Sequence, residues 1–221
     1  MKIFLDTANL NSIKKFNDMG LLDGITTNPS LMSKEGGNPK DVMEEITKII
    51  KGDVSLEVLS TEYSGMIDEG KRLCKYGDNV VVKVPMTPDG LKACKLLSSE
   101  GIPVNVTLIF SANQALLAAK SGAKYVSPFI GRLDDVGQDG MHLIKEIKEI
   151  FSNYNFETQI LVASIRHPVH VVDAAKIGAD VVTLPPAVLD KMLQHPLTKI
   201  GLENFLSDWE KLKAGNPDVK I

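Results

Sequence analysis

The chain is poor in cysteine, in aromatic residues and in surplus charge, and each shortage narrows the class of protein. Its two cysteines, Cys74 and Cys94, sit in polar, helix-like segments without the spacing of metal ligands, so we interpret them as reduced structural thiols. With 5% aromatics and a formal net charge of −3, no basic stripe interleaves with aromatic residues, and we expect no nucleic-acid partner. No run of eighteen apolar residues occurs, so we expect no membrane partner.

Several functional motifs are also missing. No glycine-rich loop of the Walker type occurs, and the histidines lie in or beside helix-like segments, where surface or capping roles are expected. The spacing His167-x-x-His170 could present two ligands on one helical turn, but no acidic partner is evident. We therefore expect no metal and no cofactor. Asp6 comes too early for a signal peptide, so a cytoplasmic location is predicted.

The sequence instead has an ordinary globular composition and one repeated pattern. Hydrophobic residues make up 43% and charged residues 24% of the 221 positions, which is typical of a folded domain without long disordered arms. Eight short runs rich in β-branched residues alternate with amphipathic segments of helical spacing. The runs are Lys2–Asp6, Gly24–Asn28, Val54–Leu59, Asn79–Val84, Pro103–Ile109, Lys124–Ile130, Gln159–Ser164 and Asp180–Leu184. This alternation predicts an α/β fold, a (β/α)8 TIM barrel at the compact end of its size range.

An open, doubly wound sheet is the alternative architecture. It requires a phosphate-binding fingerprint directly after the first strand, and Asp6-Thr7-Ala8-Asn9 is not one. The chain shows no linker or internal boundary. We therefore expect residues 1–221 to form a single barrel domain.

One more helical pattern follows the barrel repeats, after His195-Pro196. It predicts an additional C-terminal helix over residues 197–213, followed by a tail at 215–221. Large apolar residues recur along it at helical spacing: Leu202, Phe205, Leu206, Trp209 and Leu212. Such a face needs a surface to cover. Packing on the barrel's own mouth and docking on a neighbouring subunit are both open.

A single lysine interrupts the most apolar of the predicted strands. Lys83 lies in the run Val80-Val81-Val82-Lys83-Val84-Pro85, although lysine is seldom buried without a partner. Withdrawal of an amine from water favours its uncharged, nucleophilic form. A lysine amine that condenses with a ketone forms an iminium, which promotes cleavage of the adjacent carbon–carbon bond. The position of Lys83 therefore predicts Schiff-base catalysis.

Polar residues at the ends of the other strands support a catalytic rim, since the active site of a barrel lies at the carboxyl ends of its strands. The candidates are Asp6, Thr26, Asn28, Glu57, Asn105, Thr107, Ser127, Arg132, Ser164 and Arg166. Each alone has a structural explanation, such as satisfying a turn. Together, Asp6 and Glu57 supply two carboxylates for proton transfer. Arg132 and Arg166, with Ser127 and Ser164, suit a substrate phosphate.

Five motifs, in order along the chain, resemble those of the transaldolase family. They are Phe4-Leu5-Asp6-Thr7-Ala8, Gly24-Ile25-Thr26-Thr27-Asn28-Pro29-Ser30, Val82-Lys83-Val84-Pro85, Asn105-Val106-Thr107-Leu108-Ile109-Phe110-Ser111 and Ser127-Pro128-Phe129-Ile130-Gly131-Arg132. The short length resembles the small microbial transaldolases, which are related to the fructose-6-phosphate aldolases. The resemblance implies a metal-independent Schiff-base barrel that moves a dihydroxyacetone unit between sugar phosphates in the pentose phosphate pathway.

The resemblance also implies a role for each site residue. Lys83 matches the Schiff-base lysine, and Asp6 the group that handles the substrate hydroxyl proton. Glu57 and Thr107 resemble the pair that orders a catalytic water. Hydroxyl and phosphate binding falls to the positions Thr26, Asn28, Asn105, Ser127, Phe129, Arg132, Ser164 and Arg166. Small transaldolases form pentamers that stack into decamers, so a homo-oligomer is expected.

Two positions separate transfer from simple cleavage within the family. Fructose-6-phosphate aldolases usually carry Tyr where this chain has Phe129 and Gln where it has Glu57. A phenol there can donate a proton, and Phe cannot. The resemblance therefore predicts conversion of sedoheptulose 7-phosphate and glyceraldehyde 3-phosphate into erythrose 4-phosphate and fructose 6-phosphate. An aldolase that releases free dihydroxyacetone, and a non-catalytic sugar-phosphate-binding barrel, are the alternatives.

Overall fold

The computed structural model describes residues 1–216 and 219, and its centre is a closed barrel of eight parallel strands in sequence order. The first strand pairs with the last, from Lys2 opposite Val181 to Leu5 opposite Leu184, so the sheet has no free edge. The strands are β1 (Lys2–Asp6), β2 (Gly24–Thr26), β3 (Asp53–Glu57), β4 (Val80–Pro85), β5 (Val104–Ile109), β6 (Tyr125–Pro128), β7 (Gln159–Val162) and β8 (Val181–Leu184). The predicted (β/α)8 barrel is confirmed.

Helices follow every strand and form the outer ring. They are α1 (Leu10–Asp18), α2 (Pro29–Glu35), α3 (Pro39–Ile49), α4 (Tyr63–Leu73) with a 3₁₀ turn (Cys74–Tyr76), α5 (Pro88–Ser99), α6 (Ala112–Lys120), α7 (Ile130–Asp134), α8 (Gly140–Asn153), α9 (Pro168–Ile177), α10 (Pro186–Met192) and α11 (Pro196–Gly215). Local sequence explains several starts. Asn38 and Thr87 cap α3 and α5 through their side chains, each followed by a proline in the first turn.

The core consists of two apolar layers separated by the strands. Val80, Val82 and Val84 of β4 belong to the larger layer, between the barrel and its helices. Val81 belongs to the smaller layer, which fills the inside of the barrel. Because side chains alternate faces along a strand, Lys83 points inward like Val81. The inner layer consists of Phe4, Val81, Tyr125, Leu161, Ala163 and Val181, with Phe129 packed against it.

The inner layer closes the barrel below the strand ends. Phe4 and Tyr125 meet edge to face, with ring centroids 5.9 Å apart. The Tyr125 hydroxyl donates a hydrogen bond to Asp53 Oδ2 at 2.7 Å. Gly24 makes room for the Phe4 ring, because an added Cβ would lie 2.5 Å from Phe4 Cε1. The interior is therefore filled by large side chains at one end, and the cavity opens only at the other.

Several strands end earlier than the sequence pattern predicts. β2 stops at Thr26, so Asn28 instead caps α2, accepting a hydrogen bond from the Leu31 amide. β6 stops at Pro128, and Arg132 lies on the short helix α7. β7 stops at Val162, and Ser164 adopts a left-handed backbone with φ 62°. These residues are therefore carried by the loops and helix starts that follow the strands.

The C-terminal helix α11 runs over Pro196–Gly215, against the predicted range 197–213. None of its residues in that range is buried, and Phe205 is 75% exposed. In the single chain its apolar face thus does not cover the barrel mouth. Of the predicted tail, Gly215 belongs to the helix, and residues 217, 218, 220 and 221 lie outside the described part. Among the described residues no helix has the length and apolar character needed to cross a bilayer.

Candidate active site

A polar cavity of about 230 Å³ opens at the carboxyl ends of the strands. Most of the predicted site residues line it: Asp6, Thr26, Asn28, Lys83, Ser127, Phe129, Arg132, Ser164 and Arg166. Ala163, Ile165, Thr183 and Pro185 complete the wall. Three predicted residues, Glu57, Asn105 and Thr107, lie behind or below this wall. The structure thus brings residues from distant parts of the chain to one end of the barrel.

Lys83 is the cation at the inner end of this cavity. Its side chain is almost fully buried, and its Nζ lies 3.0 Å from Glu57 Oε2. It also donates a hydrogen bond to the carbonyl oxygen of Thr27 at 3.1 Å. Glu57 and Lys83 are direct partners in the β3–β4 register, and both point inward. The buried ammonium therefore has a charged partner on the neighbouring strand.

Glu57 stands between two cavities. It contacts Lys83 on one side, and on the other it lines a more apolar cavity of about 460 Å³ under α2, α3 and α4. Met32, Met43 and Tyr76 contribute to that second wall. Glu57 does not line the first cavity itself, but it contacts Lys83, which does. This direct contact is what a proton exchange between the two side chains requires.

Asp6 lies at the end of β1 in a chain of hydroxyl groups. The Thr26 hydroxyl donates to Asp6 Oδ1 at 2.8 Å, and the Thr26 and Thr183 hydroxyl oxygens are 2.6 Å apart. Burial raises the pKa of Asp6, while the charge of Lys83 and the Thr26 hydrogen bond oppose the rise. A raised pKa makes this carboxyl easier to protonate than an exposed one. Asp6 is therefore suited to exchanging protons.

Asn105 forms a second polar chain beneath the cavity floor. Ser127 Oγ donates to Asn105 Oδ1 at 2.7 Å, and Asn105 Nδ2 donates to Ser55 Oγ at 3.2 Å. Thr107 differs, because its hydroxyl is buried and has no hydrogen-bond partner among the described residues. β5 bulges there: its register with β6 shifts between Val106 and Ile109, and Leu108 has φ 61°. Thr107 itself stays in register with β4, opposite Pro85, two residues after Asn105 opposite Lys83.

Two arginines form the outer, cationic end of the cavity. The Arg132 guanidinium lies over the Phe129 ring at 4.9 Å. Arg166 Nη2 donates to Asp135 Oδ2 at 2.6 Å, in a half-exposed pair. A guanidinium carries five N–H donors, so this pair leaves donors available to a ligand. Ser164, held in its left-handed conformation, lies on the same wall.

Thr183 is a site residue that the sequence analysis missed. It lies on β8, the one strand for which no polar rim residue was predicted, within the run Val181-Val182-Thr183-Leu184. The available signal was its spacing of two from Val181, which points into the barrel. Ile165 also lines the cavity, although it packs in the outer apolar layer as well. Among the described residues no three His, Cys, Asp or Glu side chains form a group that could hold a metal.

These features are typical of α/β barrel enzymes: a buried lysine–carboxylate pair and a cationic rim lie at the carboxyl ends of the strands. The sequence pattern of the Transaldolase/Fructose-6-phosphate aldolase family matches residues 3–216. A probable transaldolase of Nitrosopumilus maritimus (strain SCM1) is 86% identical over 222 residues, covering 100% of both chains. A probable transaldolase of Aquifex aeolicus (strain VF5) is 61% identical over 212 residues, covering 96% of this chain and 98% of its own.

A third relative, a probable transaldolase of Methanococcus maripaludis (strain C7 / ATCC BAA-1331), is 60% identical over 210 residues, or 95% of this chain and 98% of its own. The chain therefore belongs to the transaldolase/fructose-6-phosphate aldolase family, as its motifs predict. It is an enzyme of the transaldolase and aldolase kind.

Proposed function

We propose that this chain is a transaldolase that carries a dihydroxyacetone unit between sugar phosphates on a Schiff base at Lys83. The observation that carries the proposal is the buried Lys83 amine at the inner end of the cavity, 3.0 Å from the Glu57 carboxylate. A ketose that enters carbonyl first passes the cationic rim and then reaches the Lys83 nucleophile, which has Glu57 as its proton acceptor. This sequence of groups is the one that an enzyme of this kind requires.

Covalent capture comes first in the proposed reaction. Attack needs the uncharged amine, so the ammonium proton passes to Glu57. Lys83 Nζ then bonds to the ketone carbon, and the resulting carbinolamine loses its oxygen as water to give an iminium. Thr107, whose buried hydroxyl has no partner among the described groups, would hold that water together with Glu57. No metal or cofactor enters this scheme.

Bond cleavage follows, with Asp6 as the base. Asp6 takes the proton of the C4 hydroxyl, the bond between C3 and C4 breaks, and its electron pair moves into the iminium to leave an enamine. The departing aldehyde is glyceraldehyde 3-phosphate when the donor is fructose 6-phosphate. The enamine attacks an acceptor aldehyde such as erythrose 4-phosphate, and water then releases the new ketose. The raised pKa of Asp6 supports both its accepting and its returning a proton.

Substrate binding is assigned to the rest of the wall. Arg132 and Arg166 would hold the phosphate, since guanidinium groups bind it in a bidentate manner. Asn28, Asn105 and Ser127 would bind the hydroxyl groups, with Thr26, Phe129 and Ser164 completing the pocket. The order of groups from Lys83 outward to the arginines supports a phosphorylated sugar.

Transfer is favoured over simple hydrolytic cleavage by the side chain at Phe129. The family includes both activities, and release of free dihydroxyacetone requires a proton on the enamine carbon. The Phe129 ring packs against the inner layer and against Phe110, with ring centroids 5.9 Å apart, and offers no acidic hydrogen. An enamine beside it would persist until an acceptor arrives.

The cellular setting belongs to the same proposal. Interconversion of these sugar phosphates is a step of the pentose phosphate pathway, and two free cysteines are compatible with a reducing cytoplasm. A homo-oligomer, a pentamer or decamer, is supported by the exposed apolar face of α11. Its large exposed side chains include Leu197, Ile200, Leu202, Phe205, Leu206 and Leu212.

The deciding experiment measures glyceraldehyde 3-phosphate released from fructose 6-phosphate, with and without erythrose 4-phosphate. Acceptor-dependent release supports transfer, and release without acceptor identifies an aldolase. Borohydride reduction in the presence of fructose 6-phosphate should attach the substrate covalently, through its iminium, to the wild type and to Lys92→Met, but not to Lys83→Met. Lys92 is an exposed lysine and serves as the control. Adduct on Lys83→Met, or no release in either assay, would overturn the proposal.

A further inference from the structure

A buried histidine lies behind the cationic end of the cavity, outside the groups already assigned. His170 is in the first turns of α9 and its side chain is 9% exposed. Its Nδ1 accepts a hydrogen bond from the backbone N–H of Arg166 at 3.3 Å. Its Nε2 lies 3.1 Å from Asp134 Oδ2 on α7. One imidazole ring therefore contacts both segments that carry the rim arginines.

The contacts determine the protonation of the ring. Nδ1 accepts from a backbone amide and so carries no hydrogen, which puts the ring proton of the neutral form on Nε2, facing Asp134. The titratable and charged groups around the ring are Asp134 on α7, Asp173 on α9, Arg166, and His167, whose ring lies tilted against that of His170 with centroids 3.7 Å apart. Burial, together with His167, lowers the pKa of His170 against the opposing effect of the two carboxylates. Every contact of the ring is thus satisfied in its neutral form.

The two segments joined by His170 also pack directly on each other. Gly131, beside Arg132 on α7, abuts the other segment so closely that an added Cβ would overlap the carbonyl oxygen of Ser164 and crowd the Arg166 side chain. Asp134 is held in turn, because its Oδ1 accepts from the Gly140 amide at the start of α8. The histidine bridge therefore connects two segments that lie in direct contact, so a change at the bridge acts on both.

We propose that His170 is a positioning residue that fixes the spacing between Arg132 and Arg166, and thereby the affinity of the rim for the phosphate of the substrate. This inference rests on the proposed function, which assigns the phosphate to those arginines. His170 itself is packed behind the cavity and touches neither the substrate nor Lys83. Its loss should weaken binding of the phosphorylated end and leave the chemistry at Lys83 intact.

The test compares two variants that each keep one of the two contacts of His170 with a third variant that keeps neither. His170→Asn retains an acceptor near Nδ1 for the Arg166 amide, His170→Gln retains a donor near Nε2 for Asp134, and His170→Leu removes both. We expect the KM for fructose 6-phosphate, and the Ki of inorganic phosphate as a competitor, to rise about tenfold in His170→Leu, as loss of paired hydrogen bonds predicts. The KM and Ki values of the Asn and Gln variants should lie between those of His170→Leu and those of the wild type.

The readouts separate positioning from general damage. kcat at saturating fructose 6-phosphate, and borohydride trapping of unphosphorylated dihydroxyacetone on Lys83, should match the wild type in all three variants. An unchanged phosphate Ki in His170→Leu would overturn the proposal, and so would equal losses of trapping and phosphate binding. If His170→Leu does not fold, Asp134→Ala, which removes the acceptor on the more exposed partner, must raise the phosphate Ki, or the proposal fails. A wild type without activity would instead refute the proposed function.

Discussion

The carboxylate of Glu57 lies 3.0 Å from the ammonium of Lys83, and the two residues are direct partners on adjacent strands of the barrel. The pair is nearly enclosed, so removal of either partner leaves a charge that has lost both water and counter-ion. A buried ion pair of this kind is weak evidence for stability by itself. Its position at the inner end of a polar cavity is what makes it functionally informative.

Glu57→Leu should lower kcat/KM for the transfer reaction by about 10²–10⁴-fold, the range for loss of a positioned acid–base group. Glu57→Gln should retain a larger share of the wild-type kcat/KM than Glu57→Leu, because its amide oxygen can still accept a hydrogen bond from Lys83 and hold a water. The rate of forming the borohydride-trappable adduct measures both. Glu45→Leu, which removes an exposed ion-pair partner of Lys14, is the control. A Leu variant with wild-type trapping rate would contradict the role assigned to Glu57.

Thr26→Val should move the acidic limb of the kcat/KM profile to higher pH. The Thr26 hydroxyl stabilises the charged form of Asp6, so its loss raises the Asp6 pKa further, and the carboxylate needed as base disappears at a higher pH. Thr183→Val removes the neighbouring hydroxyl but keeps the contact with Asp6, so it should shift the limb less. A limb that stays in place or moves down in Thr26→Val would show that Asp6 does not govern it.

Phe129→Tyr should increase the release of free dihydroxyacetone without acceptor, at the expense of transfer. A phenol at this position can protonate the enamine, which the hydrocarbon ring cannot do. The ratio of acceptor-independent to acceptor-dependent glyceraldehyde 3-phosphate release measures this partition. Phe110→Tyr, on the ring packed beside Phe129, tests whether a phenol nearby is sufficient. An unchanged ratio in Phe129→Tyr would remove this residue from the choice between the two reactions.

Phe205→Glu should reduce the particle mass of the native protein. Phe205 is 75% exposed on α11, and burying such a side chain against another subunit contributes roughly 1.5–3 kcal/mol. A buried charge in its place would oppose assembly. Sedimentation or light scattering gives the mass, and Lys211→Glu, at an exposed polar position on the same helix, is the control. A wild type with the 24.1 kDa mass of one chain would refute the homo-oligomer.

The fold was predictable from the sequence because the strand period and the helix period are strong local signals. Alternation along β4 also orients Lys83 correctly, since Val81 two residues earlier is inward. The signal weakens where strands end. Asn28, Arg132 and Ser164 lie beyond the strands to which the pattern assigns them, because caps, short helices and a left-handed residue depend on packing with neighbouring loops.

The unpredicted parts of the site depend on contacts between distant segments. The irregularity of β5 arises because it carries one more residue than β6 between Val106 and Ile109. Thr183 becomes part of the site only because β8 pairs with β1, which brings the Thr183 hydroxyl to that of Thr26. The acidic partner of His170 is Asp134, which lies 36 positions earlier in the chain and reaches it only through the packing of α7 and α9. No local spacing encodes such a contact.

The packed floor of the barrel has a consequence for the order of events. Phe4, Tyr125, Leu161 and Val181 fill the interior beneath Lys83, so within the described part of the chain the cavity is closed at its inner end and open at the rim. In the proposed reaction, the outgoing aldehyde and the incoming one must then use the same opening and the same binding site, one after the other. Such an enzyme follows ping-pong kinetics. Double-reciprocal plots of rate against donor concentration, at several acceptor concentrations, should be parallel lines. Each aldehyde in excess should inhibit binding of the other.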